Sequence, residues 1–324
     1  SNSISLMASI AILGALGFSG CGGGGSSSTT APTTSATAVT LSGVAVDGYL
    51  NLAEVSFGSF KVTTNNKGRW TIPDVASLPA NEVISVKGGT DIATGELFEG
   101  TLKGIPSPNA GEAIAITPIS TLSASLYKKG VSKEVAEQKI AQQLGLPVSA
   151  ITSDPIATLS TGTPAEKQNA AKALQKGLQV QKASEIFAKS LSSATSGINS
   201  DSVTDAFADS LADILDSGVD MDAALKDTKT ISKNMVTKIS TGGDDTLLQA
   251  KLDGAADSAL DTFNIIESMD LNELVNATDE AALTKVFGSK SKALEIATSA
   301  IEKRVAAFAD IDDLLILESS VKSA

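Results

Sequence analysis

Histidine is absent from this 324-residue sequence, and cysteine occurs only once. Without an imidazole, neither a Ser-His-Asp nor a Cys-His mechanism can be assembled, and most zinc sites lose their usual ligands. A single cysteine excludes an intrachain disulfide and a thiolate cluster. Aromatic residues make up only 4% of the chain, with Trp70 as the one tryptophan. We therefore do not expect a sugar-binding cleft built on stacked aromatic faces.

Positive charge is scarce as well. The chain has 25 lysines and arginines against 37 aspartates and glutamates, which gives a net charge of -12. A nucleic-acid surface needs a concentrated positive field, so we expect no nucleic-acid partner. The same charge would be repelled by anionic headgroups, so surface electrostatics would not hold this protein at a membrane. The apolar content of 42% is nevertheless that of a globular chain with a buried core.

The N-terminal residues have the pattern of an export signal. Residues 4–18 are nearly all apolar or small, but the run is shorter than the about 20 residues that cross a bilayer as a helix. It ends in Phe18-Ser19-Gly20-Cys21, which is typical of a signal peptide with a cleavage site. The first basic residue is Lys61, so we expect the positive start of such a signal upstream of Ser1. The competing interpretation is a buried hydrophobic helix with an incidental cysteine.

These residues resemble the lipobox of bacterial lipoproteins, with Phe18 in the place of the usual leucine. The resemblance implies that residues 1–20 are a signal peptide and that Cys21 is lipidated with acyl chains such as palmitate. Residues 21–38 are rich in Gly, Ser and Thr, which predicts a flexible tether. Gly22 replaces the aspartate that retains enterobacterial lipoproteins in the inner membrane, so the resemblance implies an outer-membrane location, periplasmic or surface-exposed. The predicted membrane partner is bound through the lipid on Cys21.

Short stretches of alternating polar and apolar residues, separated by turn signals, occupy residues 39–117. Two of them, 39–46 and 49–57, flank the dipeptide Asp47-Gly48, which is typical of a tight hairpin turn. Strands of this length and spacing predict a small antiparallel β-sandwich.

Two motifs in this segment, Asp47-Gly48-Tyr49-Leu50 and Gly68-Arg69-Trp70, resemble the start of a carboxypeptidase-regulatory-like (transthyretin-like) β-domain. Further matching turns extend the resemblance over residues 47–122. These motifs consist of turn and packing residues, so they imply a fold and no activity. Phe57-Gly58-Ser59-Phe60 stands where many relatives carry an Asp/Asn-Gly loop. A calcium site of that type is therefore not expected.

Residues 118–324 have the apolar spacing of amphipathic helices. Thr117-Pro118 predicts one helix start, and Thr163-Pro164-Ala165-Glu166 is a capping box that predicts a long helix to about residue 194. Helices with one apolar stripe must pack on one another, so a bundle or an irregular array is expected. The predicted fold class is therefore α+β, with a β-sandwich domain at 39–117 and an α-helical domain at 118–324.

Candidate catalytic residues are few and each has a simpler structural explanation. Ser-x-x-Lys occurs at Ser125/Lys128, Ser289/Lys292 and Ser319/Lys322, without the partner motifs of serine acyltransferases. The acidic pairs Asp244-Asp245 and Asp312-Asp313 fit a helix cap and a solvated surface better than a metal or glycosidase site. We predict Cys21 as a lipidation site, and we predict no catalytic residue, no cofactor and no metal ligand.

The resulting hypothesis is an exported, lipid-anchored envelope or cell-surface lipoprotein with a non-catalytic structural, adhesive or partner-binding role, the partner being an envelope or surface protein. Two alternatives stay open. One is a hydrolase that works through carboxylates alone, which a cleft holding two carboxylates, one with a raised pKa, would favour. The other is a carrier of an apolar ligand, which a large apolar cavity between the helices would favour.

Overall fold

The computed structural model describes residues 38–109, 111–192, 198–239 and 245–307, and all of these belong to one compact unit. Cys21, the predicted signal peptide and the predicted tether up to residue 37 lie outside the described residues. So do Asp244, Asp312-Asp313, Ser319/Lys322 and the predicted end of the long helix near residue 194. The order of elements, strands first and then mainly helices, makes this an α+β fold, as predicted.

The strands of the described chain follow the predicted alternation, and most are short. They are β1 Val39–Ala45, β2 Leu50–Asn51, β3 Glu54–Phe57, β4 Phe60–Thr63, β5 Arg69–Val75, β6 Ile84–Lys87, β7 Thr90–Asp91, β8 Thr101–Gly104 and β9 Ala113–Ile116. They form three sheets in the orders β5-β1-β9, β2-β7 and β4-β3-β6-β8. Every pairing is antiparallel except that of β1 with β9, which is parallel.

The parallel pair β1–β9 depends on a glycine. A β-carbon at Gly43 would lie 2.0 Å from the carbonyl oxygen of Ile114, which is far closer than a non-bonded contact permits. The inward-facing side chains of the sheets form one apolar core that contains Val55, Trp70 and Ile72. Apolar alternation along the strands therefore produced a packed β-rich segment, and Gly43 permits the close approach of β1 and β9.

The helices of the described chain begin after β9. They are α1 Pro118–Lys128, α2 Lys133–Leu144, α3 Val148–Thr152, α4 Pro155–Thr161, α5 Pro164–Ser192, α6 Ser200–Asp216, α7 Met221–Lys226, α8 Thr228–Ile239, α9 Asp245–Glu267, α10 Asn272–Val275 and α11 Glu280–Ala307. None of these helices is long and apolar enough to span a bilayer.

Both predicted helix starts are confirmed by their capping hydrogen bonds. Thr117 and Ser120 form a reciprocal capping box at the start of α1. At the start of α5, the backbone N–H of Thr163 donates to Glu166 Oε2 at 2.8 Å, and the backbone N–H of Glu166 donates to Thr163 Oγ1 at 3.4 Å. These bonds satisfy amide groups that a helix start otherwise leaves without partners.

Two apolar cores hold the helices together, and both continue into the β-rich segment. The first surrounds α5 and α6, where the rings of Phe187 and Phe207 have centroids 5.4 Å apart. The second combines Val44 and Tyr49 of the β-rich segment with helical residues such as Leu174 and Phe287. The β-rich and helical segments are thus joined by shared burial of apolar surface, which is the main favourable term in folding.

Candidate functional site

One buried lysine and four carboxylates meet where the β-rich segment packs on α5 and α11. The Lys182 side chain is only 6% exposed, and its Nζ lies 2.9 Å from Glu185 Oε2 and 3.7 Å from Glu295 Oε1. Asp47 and Asp91 interact electrostatically with this group. Burial opposes the charged form of Lys182, but Glu185, Asp47 and Glu295 outweigh it and raise the pKa of the lysine. We call these five residues the junction cluster.

Asp91 is held in the junction cluster by backbone amides. Its carboxylate accepts hydrogen bonds from the N–H groups of Gly48, Ala93 and Thr94, with 2.8 Å between Ala93 N and Oδ1. A β-carbon at Gly48 would lie 2.1 Å from that same oxygen. Burial raises the pKa of Asp91, and the three amides oppose the rise. Because Gly48 has no side chain, the Asp91 carboxylate can approach the backbone of the turn.

Asp47 differs from the other acids of the junction cluster. Within the described residues its carboxyl has no hydrogen-bond partner and no ion pair, and it borders a cleft of about 20 Å³ beside the start of α1. Burial is the largest of the effects that raise the pKa of Asp47 to about 8, against the opposing charge of Lys182. Asp91, Glu185 and Glu295 raise it further.

Tyr49, the next side chain of the same turn, binds a different helix. Its hydroxyl donates to Asp154 Oδ2 at 3.0 Å. The other oxygen of Asp154 accepts the N–H groups of Ile156 and Ala157 at 3.0 Å each and so caps α4. Burial, followed by the negative charge of Asp154, raises the pKa of Tyr49. Tyr49 thus joins the β-rich segment to the helices through its hydrogen bond to Asp154.

A second group of charges lines a cleft of about 30 Å³ bordered by β9, α1 and α2. The Nζ of Lys133 lies 2.8 Å from Glu137 Oε1 and 3.7 Å from Glu112 Oε1. Ser123 lines the same cleft, and its buried Oγ has no hydrogen-bond partner in the described chain. We call these four residues the acid–lysine cleft. Such a small volume has room for one or two water molecules, and its mouth is open to solvent.

The two carboxylates of the acid–lysine cleft have pKa values shifted in opposite directions. Hydrogen bonds from Ser107, and then from Asn109, lower the pKa of Glu112. Burial raises the pKa of Glu137 in spite of the hydrogen bond from Lys133. Two carboxyl groups whose pKa values are shifted in opposite directions are suited to act as a general acid and a general base. A cleft with two carboxylates, one of them with a raised pKa, is the arrangement that a carboxylate-dependent hydrolase would need.

A third charged feature ties α6 to its neighbours. Aspartates recur along α6, and lysines of β6, β8 and α2, together with the residue that follows α1, bind them. The pairs are Asp201 with Lys87, Asp205 with Lys103, Asp213 with Lys129 and Asp216 with Lys139. We call these pairs the aspartate ladder. The four-residue spacing from Asp201 to Asp213 is visible in the sequence, but it does not by itself indicate ion pairs. The lysine partners lie too far away in sequence to be recognised.

No family model, no curated protein and no solved structure matches this chain. A functional conclusion therefore rests on the residues themselves and on the geometry of the three charged features.

The Ser-x-x-Lys pairs that fall on described residues do not form dyads. Ser125 is buried whereas Lys128 is exposed. Ser289 donates to the carbonyl oxygen of Lys285, and Lys292 lies 3.6 Å from Glu96. These two pairs are not brought together, which agrees with their interpretation as coincidences.

The other candidate residues occupy helix ends wherever they are described. Asn199 Oδ1 accepts the N–H of Asp201 at 2.9 Å and caps α6. Asp245 is the first residue of α9. Within the described ranges, no group of three or more acidic or cysteine side chains has the geometry to hold a metal ion.

Proposed function

We propose that this chain is an exported, lipid-anchored lipoprotein of the cell envelope or cell surface, with a non-catalytic structural, adhesive or partner-binding role. The observation that carries the proposal is Phe18-Ser19-Gly20-Cys21 at the end of an apolar run, followed by a Gly/Ser/Thr-rich stretch. Two acyl chains on Cys21, at ~0.8 kcal/mol per buried CH₂, suffice for stable anchoring where a single chain is marginal. The body beyond the tether, with a β-rich segment that resembles carboxypeptidase-regulatory-like domains, then stands outside the outer membrane or in the periplasm.

The pairing of charged side chains between different helices and strands supports a structural role. In the aspartate ladder and the junction cluster, charged side chains from distant parts of the sequence pair across element boundaries. Groups paired in this way fix the position of one element on another. The side chains of Lys103 and Lys182 are only 10% and 6% exposed, so these two lysines are not open to solvent as a substrate-binding surface would be.

Two exposed leucines of the β-rich segment support partner binding. Leu52 is 69% exposed and Leu97 is 76% exposed. Leu52 also has a positive φ of 57°, a left-handed conformation that costs a non-glycine residue about 1–2 kcal/mol. Backbone strain at an exposed apolar side chain is typical of a residue retained for contact with another molecule.

The lipid anchor is tested by a Cys21→Ser variant in the full chain with its native upstream start. We expect wild type in the membrane fraction, with a mass that includes acyl chains, and the variant without lipid. A Ser26→Ala variant in the tether is the matched control and should remain lipidated. Recovery of the wild type as a soluble, unlipidated protein would refute the proposal. If the serine variant stays on the membrane, the mass of its N-terminal peptide decides whether residues 1–20 are still attached.

The second candidate is carboxylate-dependent hydrolysis at the acid–lysine cleft. In that case Glu137 donates a proton to the leaving oxygen, and Glu112 accepts a proton from the attacking water. Lys133 lies between the two groups and neutralises them, which favours the non-catalytic role. A panel of chromogenic glycosides and esters tests this candidate. Turnover by wild type that is lost in Glu137→Gln and kept in Glu134→Gln, an exposed residue of the same helix, would establish it.

Three clefts of the described chain are small in comparison with what the carrier hypothesis requires. Those lined by Asp47, by Glu137 and by Phe287 have volumes of about 20, 30 and 10 Å³. Sites for ligands of ordinary size have volumes of roughly 300–1,000 Å³.

A further inference from the structure

The three most exposed large apolar side chains of the described residues lie close together. They are Leu52, Leu97 and Ile296, which are 69%, 76% and 64% exposed. Every other large apolar side chain of the described ranges is at most 44% exposed. Exposed apolar residues normally occur singly, and a group of them marks a surface that another molecule covers.

Backbone pairing brings the two leucines near each other. Asn51 pairs with Thr90 between β2 and β7, and Thr90 forms a second antiparallel bridge with Leu97. Leu52 directly follows Asn51 in the sequence. Because paired strands lie about 4.8 Å apart, the backbones of Leu52 and Leu97 are separated by roughly two such spacings, or about 10 Å. One partner surface can cover both side chains at this distance.

Helix α11 adds Ile296 to the same part of the surface. Lys292 Nζ lies 3.6 Å from Glu96 Oε1, and Leu97 directly follows Glu96 in the sequence. Ile296 comes one helical turn after Lys292 and therefore lies on the same face of α11. We call Leu52, Leu97 and Ile296 the apolar patch.

Two exposed ion pairs border the apolar patch and add no net charge to it. The side chains of Glu96 and Lys292 are 55% and 57% exposed, and Lys189 Nζ lies 3.1 Å from Glu99 Oε2. The protein as a whole has a net charge of -12, so two copies repel each other over most of their surfaces. This repulsion is smallest where both signs are present in equal number. Such a surface is complementary to itself after a two-fold rotation, because each acid can face a base of the other copy.

We propose that the apolar patch is the contact surface of a two-fold symmetric dimer, so that its partner is a second copy of this chain. The proposal rests on the partner-binding role proposed above, for which it names the partner. In a symmetric contact the apolar patch of one copy covers that of the other, and Glu96 of each copy faces Lys292 of the other. Both of these side chains are more than half exposed, so each has room for a second partner.

Sedimentation equilibrium of the full chain with its native upstream start, in a density-matched mild detergent at about 1–100 μM, tests the contact. We expect wild type to dimerise with rising concentration. Leu97→Asp and Ile296→Asp should each weaken dimerisation at least about tenfold, whereas Val135→Asp, at an exposed valine of α2, should not. All four proteins have the same N-terminus, so the comparison does not depend on whether Cys21 carries lipid. A wild type that stays monomeric, or a dimer that Leu97→Asp leaves unchanged, would overturn the proposal.

A charge exchange between copies tests the symmetry of the contact. Glu96→Lys and Lys292→Glu should each dimerise more weakly than wild type, because like charges then face each other twice across the contact. An equimolar mixture of the two variants should dimerise again, because the added lysine of one copy faces the added glutamate of the other. The ion pair within each chain stays broken in the mixture, so a role confined to the monomer cannot produce this recovery. Circular dichroism verifies that both variants are folded. A mixture that dimerises no better than the separate variants would contradict the symmetric contact.

Discussion

The hydroxyl oxygen of Tyr49 lies 3.0 Å from Asp154 Oδ2, and the two residues are separated by 105 positions in the sequence. One carboxylate thus accepts a hydrogen bond from the β-rich segment while its other oxygen caps α4. The bond links a turn residue of the β-rich segment directly to the start of α4.

Removal of the Tyr49 hydroxyl should weaken this link. Tyr49→Phe leaves the ring in the core but removes a hydrogen bond to a charged acceptor, so we expect a loss of about 1–2 kcal/mol in the free energy of unfolding. Urea denaturation measures the change. The other tyrosine provides the control, since the Tyr127 hydroxyl has no hydrogen bond within the described residues. Equal effects of Tyr49→Phe and Tyr127→Phe would contradict the assigned role of the bond.

Two helical glycines should respond to alanine with opposite signs. A β-carbon at Gly288 would lie 2.2 Å from the carbonyl oxygen of Ala93, whereas none of the surrounding atoms lies within 4 Å of one at Gly254. Gly254→Ala should therefore stabilise the protein by about 0.5–1 kcal/mol through helix propensity. Gly288→Ala must displace α11 from the loop after β7, and we expect a loss of about 1–3 kcal/mol. Thermal unfolding of both variants measures these changes in stability. If both are stabilised, α11 does not pack on that loop.

Acid should weaken the aspartate ladder. The hydrogen bond from Lys87 lowers the pKa of Asp201, against the opposing effect of burial. A carboxyl with a lowered folded pKa contributes stability that is present above about 3.9 and is lost as pH falls through the folded value. Asp201→Asn and Lys87→Gln should both reduce the dependence of thermal stability on pH below about pH 4. Combining them should add nothing further, because each removes the same interaction. An additive double variant would show that Lys87 is not the cause.

Leu52 should show opposite effects on stability and on binding. Leu52→Asn places a residue that tolerates a left-handed backbone at φ 57°, so we expect a gain of about 0.5–1 kcal/mol in stability. Leu97→Asn removes an exposed leucine without relieving strain and should leave stability within about 0.5 kcal/mol of wild type. Denaturant unfolding measures both. If Leu52 contacts an envelope partner, Leu52→Asn recovers less of it in a crosslinking pulldown although the protein is more stable. A less stable Leu52→Asn would show that the leucine is held by packing instead.

The local part of this fold could be predicted from the sequence. Alternating burial located most of the strands, and threonine side chains at Thr117 and Thr163 marked helix starts that the capping bonds confirm. These features depend on residues a few positions apart, so periodicity and capping chemistry are sufficient to identify them. The short helices α3 and α4 were not predicted, because five and seven residues are too few to display a helical period.

The sequence by itself also determined the excluded chemistry and the predicted lipidation at Cys21, because both depend only on which residues are present and in what order. The tertiary structure decided the rest. Strand β9 returns parallel to β1. The Asp47-Gly48 turn was predicted to connect a hairpin, but β1 pairs with β5 and β9 while β2 pairs with β7. Pairing across a long stretch of chain and the burial of a charge are set by which surfaces meet on folding. Such contacts form only when distant parts of the chain pack together, so no short-range pattern in the sequence predicts them.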